Sequence, residues 1–118
     1  MKKISINDVG SYSAPGHFDV ACFRLQGKEE SGIKTFWIGK SVFLPGGGAE
    51  WGYEKDSPNE KVYIVLEGEM TVKSKDETFH LVKGDTLFIG PNEGREMKNE
   101  GKGACELLVV IAYGAPPA

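Results

Sequence analysis

Lysine, tyrosine and arginine supply the groups in this chain that are best suited to chemistry on a small molecule. Lys61 and Tyr63 alternate within an apolar segment, so a strand there would present both side chains on one face. A partly buried ammonium loses proton affinity and can act as a base or a nucleophile. Arg95 follows a Pro- and Gly-containing turn, and its guanidinium is a rigid fork that matches a carboxylate or a phosphate. These residue types suit an anionic organic molecule if the fold brings them together.

Good metal ligands are scarce in the sequence. His17 and His80 are the only imidazoles. His80 alternates with apolar neighbours in 78–82, which favours a surface or interface position, and nothing in the pattern directs His17 to a site. A site built from acids alone would prefer hard cations and bind them weakly, and its candidates are Glu50, Glu54 and Glu96. We therefore expect no metal and no other cofactor.

The two cysteines also favour a structural role. Cys22 and Cys105 lie in apolar, strand-like segments with neither a CxxC spacing nor a histidine companion. Cysteine is among the residues most often buried, and an intracellular protein keeps its thiols reduced. We expect two buried reduced thiols rather than a disulfide, a metal site or a catalytic nucleophile.

Turn residues divide the chain into short segments. Sixteen glycines and six prolines interrupt it, and helical periodicity is nearly missing, which is typical of an all-β sandwich or barrel. In segment 35–44 both alternating sets are apolar, which predicts burial on two sides, one of them against a second subunit. The run Gly46-Gly47-Gly48 is interpreted as a turn into a strand. The candidate strands are 18–26, 35–44, 50–53, 61–67, 70–74, 78–82, 86–89, 95–99 and 105–113.

Two stretches, 61–74 and 84–99, resemble the signature motifs of the cupin family, small β-barrels that hold a metal or an organic ligand in the mouth of the barrel. The second motif of that family contains glycine, proline, a second glycine, histidine and asparagine in this order. Here the matching residues are Gly84, Pro91, Gly94 and Asn99, and Arg95 stands where the family has its histidine. The likeness therefore predicts the fold and leaves the usual metal chemistry of the family in doubt.

The first motif departs from the family in the same way. An acid or a glutamine usually stands seven residues before the turn glycine, and here Lys61 stands seven residues before Gly68. Glu60 is one residue out of step, so a one-residue bulge would exchange Lys61 for an acid at the ligand position. Both motifs thus carry a cation where the family commonly has a metal ligand.

The histidine pair of the first motif is missing as well. It should follow the turn at Pro45 and Gly46, and one alignment frame places Gly52 and Glu54 at the two positions. A one-residue shift places Trp51 and Tyr53 there instead. Neither frame supplies a histidine.

The resemblance implies a single all-β domain over residues 1–118, a double-stranded β-helix or jelly-roll barrel of two antiparallel sheets. The core barrel would span about 35–113. It also implies a homodimer, with the N-terminal strands in 4–26 at its interface. In such a barrel the inward-facing candidates would be Lys61, Tyr63, Arg95 and Met97, with Glu50 and Glu54 as counter-charges and Trp51 or Tyr53 as a wall against a flat ligand.

Three functions compete on this evidence. The first is a metal-independent isomerase, epimerase or lyase that acts on a small carboxylate, with Arg95 as the anion anchor and Lys61 or Tyr63 as acid or base. The second is a binder or sensor without turnover, and the third is an atypical metalloenzyme with carboxylate ligands. In a structural alternative, both cations merely neutralise glutamates within a vestigial pocket, the available partners being Glu50, Glu54 and Glu96.

Composition limits the other partners. The chain has 118 residues, and 14 basic against 17 acidic side chains give a net charge of −3, with the two signs interspersed. No basic block indicates nucleic-acid binding. Its longest apolar run, 107–113, is too short to span a bilayer, and the first residues lack the apolar core of a secretory signal. We expect a cytoplasmic protein that binds a small, anionic ligand and neither nucleic acid nor membrane.

Overall fold

A computed structural model describes residues 1–52 and 54–114 of the chain. Nearly all regular structure in these residues is β-strand, with one 3-10 helix, Ile6–Asp8, and one short α-helix, α1 (Lys28–Ser31). None of the helices within the described ranges is long and apolar enough to cross a membrane. The strands are β1 (Ser11–Tyr12), β2 (His17–Gln26), β3 (Phe36–Gly52), β4 (Glu60–Glu67), β5 (Glu69–Lys73), β6 (Thr78–Val82), β7 (Thr86–Ile89), β8 (Arg95–Lys98) and β9 (Cys105–Ala112).

The strands form a nearly closed antiparallel barrel. Hydrogen bonding runs in the order β6-β5-β8-β3-β9-β4-β7, with β2 paired to β3 and β1 paired to β2. The first part of β3 pairs with β9, from Phe36 with Ala112 to Phe43 with Cys105. Its last part pairs instead with β8, where Gly52 lies opposite Arg95. Strand β3 therefore joins β9 to β8 in the barrel wall, and the predicted all-β jelly-roll barrel is confirmed.

The glycine run marks the bend in β3 and is not a turn between two strands. The prediction of two separate strands at 35–44 and 50–53 was wrong, because the single strand β3 continues through Gly47 and Gly48. Both glycines are buried, and a Cβ on Gly48 would collide with the backbone carbonyl of Met97. A Cβ on Gly47 would likewise collide with the carbonyl of Asp19. These glycines let two backbones approach closely at the corner of the barrel.

Asn99 fastens this corner from inside. Its side chain is fully buried, and its amide nitrogen donates to the carbonyl oxygens of Phe43 at 3.2 Å and Gly103 at 2.9 Å. Its backbone amide donates to the carbonyl of Gly47 at 2.7 Å, and its backbone carbonyl accepts from the amide of Gly46 at 2.8 Å. The asparagine of the second motif is therefore a structural residue that links β3 to the turn after β8.

Side-chain alternation fills one end of the barrel with apolar groups. Cys105 belongs to this core, and burial raises the pKa of its thiol to about 11, with the charges of Glu106 and Glu69 adding to the effect. Such a thiol is a poor nucleophile. Cys22 is likewise buried and free, which agrees with the predicted reduced thiols. The core residues are Phe43, Ala49, Tyr63, Val65, Met70, Val72, Leu81, Ile89, Met97, Cys105 and Leu107.

Helix α1 was not predicted, because one turn is too short to show a helical pattern. It brings Glu30 to within 2.9 Å of Arg24 on β2. The guanidinium of Arg24 lies 4.9 Å from the centre of the Trp37 ring. This contact covers a face of the Trp37 ring, and Trp37 also lines the cavity described below.

Candidate functional site

Strand β4 presents its candidate residues to the barrel interior. It lies between β7 and β9, with Lys61 opposite Ile89 on one side and Ile111 on the other. Tyr63 is buried and Lys61 is partly buried, whereas Glu60 is exposed. The register therefore has no bulge that would exchange Lys61 for Glu60, and the inward position expected for a ligand-binding acid holds an ammonium.

A cavity of about 290 Å³ lies beneath these side chains, and we call it the inner cavity. Its walls come from β1, β2, the first half of β3, β4, β8 and β9, so residues far apart in sequence meet there. Cations, hydroxyls and aromatic rings all contribute to the lining. The lining residues are Tyr12, Ala14, Pro15, His17, Cys22, Trp37, Gly39, Ser41, Glu54, Lys61, Tyr63, Arg95, Val109 and Ile111.

A second space of about 370 Å³ continues outward from the inner cavity, and we call it the mouth. The two spaces share four residues, among them Lys61 and Arg95, which therefore stand at the boundary between them. Carboxylates are more frequent here than in the inner cavity. The mouth is lined by Pro15, Gly16, Glu50, Trp51, Gly52, Glu54, Lys61, Ile89, Glu93 and Arg95.

One of the two cavity cations is neutralised by the protein. The Lys61 ammonium lies 3.2 Å from a carboxylate oxygen of Glu54. The other carboxylate oxygen accepts hydrogen bonds from Ser57 at 2.8 Å and Asn59 at 3.2 Å. Partial burial raises the pKa of the Glu54 carboxyl, but these hydrogen bonds and the Lys61 charge outweigh it and lower that pKa below its usual value. Glu54 is therefore an ionised partner for Lys61.

Arg95 has a different environment. Its Nε donates to the Tyr63 hydroxyl at 3.1 Å, and one terminal nitrogen donates to the backbone carbonyl of Glu50 at 3.3 Å. Among the residues that the structure describes, the cation–carboxylate pairs within 4.0 Å do not include Arg95. The guanidinium is thus held in place by neutral acceptors at the boundary of the two cavities, with no described carboxylate within 4.0 Å of it.

The remaining predicted site residues lie at different depths. Trp51 is 49% exposed at the mouth, and Gly94 makes room for its indole, because a Cβ there would collide with three atoms of the ring. Glu50 is exposed beside it. Met97 is buried in the apolar core and lines neither the inner cavity nor the mouth. Tyr53 lies outside the described residues.

His17 is a cavity residue that the sequence did not indicate. Its Nδ1 lies 2.9 Å from the backbone carbonyl of Pro15, and the ring lines the inner cavity. Burial lowers the pKa of the imidazole, and the Arg95 charge lowers it further against the opposing effect of the Pro15 carbonyl. The pairing of His17 with Ala49 on β3 places the imidazole at the cavity. The residues around His17 in the sequence do not indicate this long-range pairing. His80, in contrast, is exposed, as predicted.

The residues present do not fit the metal that a cupin barrel often holds. Lys61 and Arg95 are cations at positions where the family commonly places ligands, and neither donates an electron pair readily to a metal. Within 1–52 and 54–114, no three histidine, cysteine or acidic residues are grouped so that they could hold a metal ion. The three candidate acids do not meet in one space, because Glu50 and Glu54 line the mouth whereas Glu96 is exposed on β8 and lines neither the inner cavity nor the mouth.

Comparison with known proteins agrees with this architecture. The sequence model of the Cupin_2 family, described as cupin domain, matches residues 40–111. A protein named beta-D-galactosidase Rv1717 from Mycobacterium tuberculosis is 34% identical over 113 residues, which cover 96% of this chain and 95% of that protein.

Solved structures share the fold at lower identity. The polyketide cyclase RemF from Streptomyces resistomycificus superposes with a TM-score of 0.81 at 24% identity, covering 99% of this chain and 82% of that one. A predicted oxalate decarboxylase from Thermotoga maritima gives a TM-score of 0.79 at 18% identity, covering 95% and 99% of the two chains. Together with the match over residues 40–111, these likenesses identify the chain as a member of the cupin family.

Proposed function

We propose that this cupin binds a small anionic organic molecule at the boundary between the inner cavity and the mouth, with Arg95 as its anchor. The observation that carries the proposal is the set of Arg95 partners among the described residues: the Tyr63 hydroxyl at 3.1 Å and the Glu50 backbone carbonyl at 3.3 Å, with no carboxylate within 4.0 Å. Arg95 is partly buried, and a partly buried cation is stabilised by pairing with an anion. A ligand carboxylate would supply that anion and could accept two parallel hydrogen bonds from the guanidinium.

The neighbouring groups support chemistry on the bound molecule. Tyr63 accepts a hydrogen bond from Arg95, which leaves its own hydroxyl proton available for a ligand. Lys61, which Glu54 holds at 3.2 Å, adds a second donor at the same boundary. This arrangement suits a metal-independent isomerase, epimerase or lyase in which Lys61 or Tyr63 handles a proton. A binding protein without turnover would use the same contacts.

Calorimetric titration with acetate, lactate, succinate, malate and inorganic phosphate tests the anchor. We expect the wild type to bind at least one of these anions, and Arg95→Ala to weaken that binding about 10- to 150-fold, because a hydrogen bond to a charged group contributes about 1.5–3 kcal/mol. Arg95→Lys should retain part of the affinity, since an ammonium keeps the charge but not the fork.

Lys98→Ala is the matched control, because Lys98 is an exposed cation on the same strand and lines neither cavity. Absence of binding to the wild type, or equal losses in Arg95→Ala and Lys98→Ala, would contradict the proposal.

A second candidate, hydrolysis of a β-galactoside, is favoured by the relative named as a beta-D-galactosidase, which is 34% identical over 96% of this chain. Glycoside hydrolysis commonly needs two carboxyl groups, and the mouth contains Glu50 and Glu54 beside the exposed ring of Trp51. Release of nitrophenol from nitrophenyl β-D-galactoside tests it. We expect Glu54→Gln to lower the rate at least about 100-fold and Glu60→Gln, at an exposed position on β4, to leave it unchanged. A wild type without activity would exclude this candidate.

We also propose a homodimer. Its support is the outer face of β3, β9, β4 and β7, where one row crossing all four strands is apolar. The residues of this row are Ile38, Val110, Val62 and Phe88, of which Phe88 is 58% exposed. Exposed apolar surface of this kind favours association. Light scattering should give twice the 12.8 kDa mass of one chain, and a monomer mass at micromolar concentration would contradict the proposal.

A further inference from the structure

His17 is held in one orientation at the wall of the inner cavity. It is the first residue of β2, where it pairs with Ala49 on β3. Its Nδ1 lies 2.9 Å from the carbonyl oxygen of Pro15. A carbonyl oxygen can only accept a hydrogen bond, so Nδ1 must carry the proton. The neutral ring then has its lone pair on Nε2, and the tautomer is set by the local backbone.

The Nε2 atom is accessible. Among the described residues, the hydrogen bonds of His17 involve Nδ1 and the backbone but leave Nε2 without a protein partner. No buried side-chain nitrogen or oxygen in these parts of the chain lacks a hydrogen-bond partner. Nε2 is therefore not sealed in the interior. Since the ring lines the inner cavity together with Arg95, a molecule bound there can reach it.

The site thus offers complementary groups on different elements. Arg95 on β8 offers donors and positive charge, while His17 on β2 offers an acceptor of hydrogen bonds. Carboxylates accept hydrogen bonds and do not donate them, so a plain carboxylate satisfies Arg95 and leaves His17 without a partner. A molecule that carries a hydroxyl in addition to its carboxylate satisfies both residues.

We propose that His17 determines ligand specificity by accepting, through Nε2, a hydrogen bond from a hydroxyl group of a hydroxycarboxylate whose carboxylate is held by Arg95. This inference rests on the proposed function and narrows its ligand class from anions in general to hydroxylated carboxylates. His17 positions and selects the ligand in this account, and Lys61 and Tyr63 keep the roles given to them above.

Protonation of His17 would remove the acceptor. The pKa of the imidazole lies below its ordinary value because of burial and the Arg95 charge, so the acceptor form persists somewhat below pH 6.5 and is lost as the pH falls further. The preference for a hydroxylated ligand should decline over the same acidic range. The titratable and charged groups that share this cavity with His17 are Tyr12, Cys22, Glu54, Lys61, Tyr63 and Arg95.

The test compares two pairs of ligands that differ by one hydroxyl, lactate with propionate and malate with succinate. At pH 7.5 we expect the wild type to bind the hydroxylated member of at least one pair about 2- to 10-fold more tightly, which is the contribution of one neutral hydrogen bond. His17→Leu should abolish this preference without weakening propionate or succinate. His17→Gln, whose side-chain carbonyl can accept a hydrogen bond, should restore part of it. A preference that survives in His17→Leu would overturn the inference.

Nitrogen-15 NMR of the imidazole gives a second reading that needs no ligand. We expect the neutral tautomer with the proton on Nδ1, and the opposite tautomer would overturn the inference because Nε2 would then be a donor.

Different results would reject the role of Arg95 and the role of His17. If Arg95→Ala loses anion binding, the role of Arg95 as anchor stands. If the wild type also binds lactate and propionate equally, and malate and succinate equally, the role of His17 is rejected. Failure of the wild type to bind any carboxylate would reject both.

Discussion

The two ends of the barrel interior are built from the same strands but differ in chemistry. Strand β4 contributes Val65 to the apolar core and Lys61 to the inner cavity, and β8 contributes Met97 to the core and Arg95 to the cavity. In each pair both residues point inward. Alternation thus determines whether a side chain faces the interior, and position along the strand determines whether that interior is dry or polar. We expect the core end to set stability and the cavity end to set ligand binding.

The largest effect should come from a cavity made at the core end. Phe43 is 1% exposed and belongs to the core cluster, so Phe43→Ala removes a large buried ring. We expect a loss of about 3–5 kcal/mol in the free energy of unfolding, measured with a chemical denaturant. Affinity of the folded variant for its anion should change less than about twofold, because Phe43 lines neither the inner cavity nor the mouth. A loss below about 1 kcal/mol in the free energy of unfolding would contradict the claim that the core end sets stability.

A smaller effect is expected where the mouth meets solvent. In Gly94→Ala the new methyl group would collide with the Trp51 indole, which is exposed enough to move aside. We expect a stability loss of about 1 kcal/mol, at the low end for overpacking, together with a change in tryptophan fluorescence. Gly103→Ala is the control, because a Cβ there meets nothing within 4 Å. Identical fluorescence in both variants would contradict the described packing of Trp51.

The smallest effect concerns the Glu54 carboxylate. Its pKa is lowered in the folded protein, so its contribution to stability is present above the unfolded value near 4.5 and is lost as the pH falls through the folded value. Since Glu54 is about half exposed, we expect Glu54→Gln to cost only on the order of 0.5 kcal/mol at pH 7. The difference from the wild type should be smaller at pH 3 than at pH 7. Denaturant unfolding at pH 7 and pH 3 measures this stability difference. A difference that grows as the pH falls would contradict the expected direction of the pH dependence.

Local pattern predicted much of the fold, and the resemblance to cupins predicted the inward direction of the main candidates. Alternation in 61–67 placed Lys61 and Tyr63 on one face of a strand, the resemblance identified that face as the inner one, and the turn residues were sufficient to recognise most of the strands. The glycine run could not be interpreted correctly, because a turn and a close approach of two backbones require the same residue. Its role depends on Asp19 and Met97, which are distant in sequence.

The details of the site depend on long-range contacts, which the periodic pattern of the sequence does not reveal. Glu54 reaches Lys61 from an irregular segment after β3, so its choice as partner over Glu50 or Glu96 could not be predicted. His17 enters the cavity through the register of β2 against β3. Alternation also does not show whether an inward-facing residue lies at the cavity end or the core end of a strand. For this reason Met97 was expected in the cavity, whereas it lies in the core.

The central claim is that the Arg95 charge serves a ligand and is not half of an internal ion pair. Denaturant unfolding of Arg95→Ala and the wild type, both without ligand, tests it most directly. Because the partners of Arg95 among the described residues are the Tyr63 hydroxyl and the Glu50 carbonyl, removal of the guanidinium should change the free energy of unfolding by about 1 kcal/mol or less. A loss of about 3–5 kcal/mol, the effect of leaving a buried charge without its partner, would contradict the account.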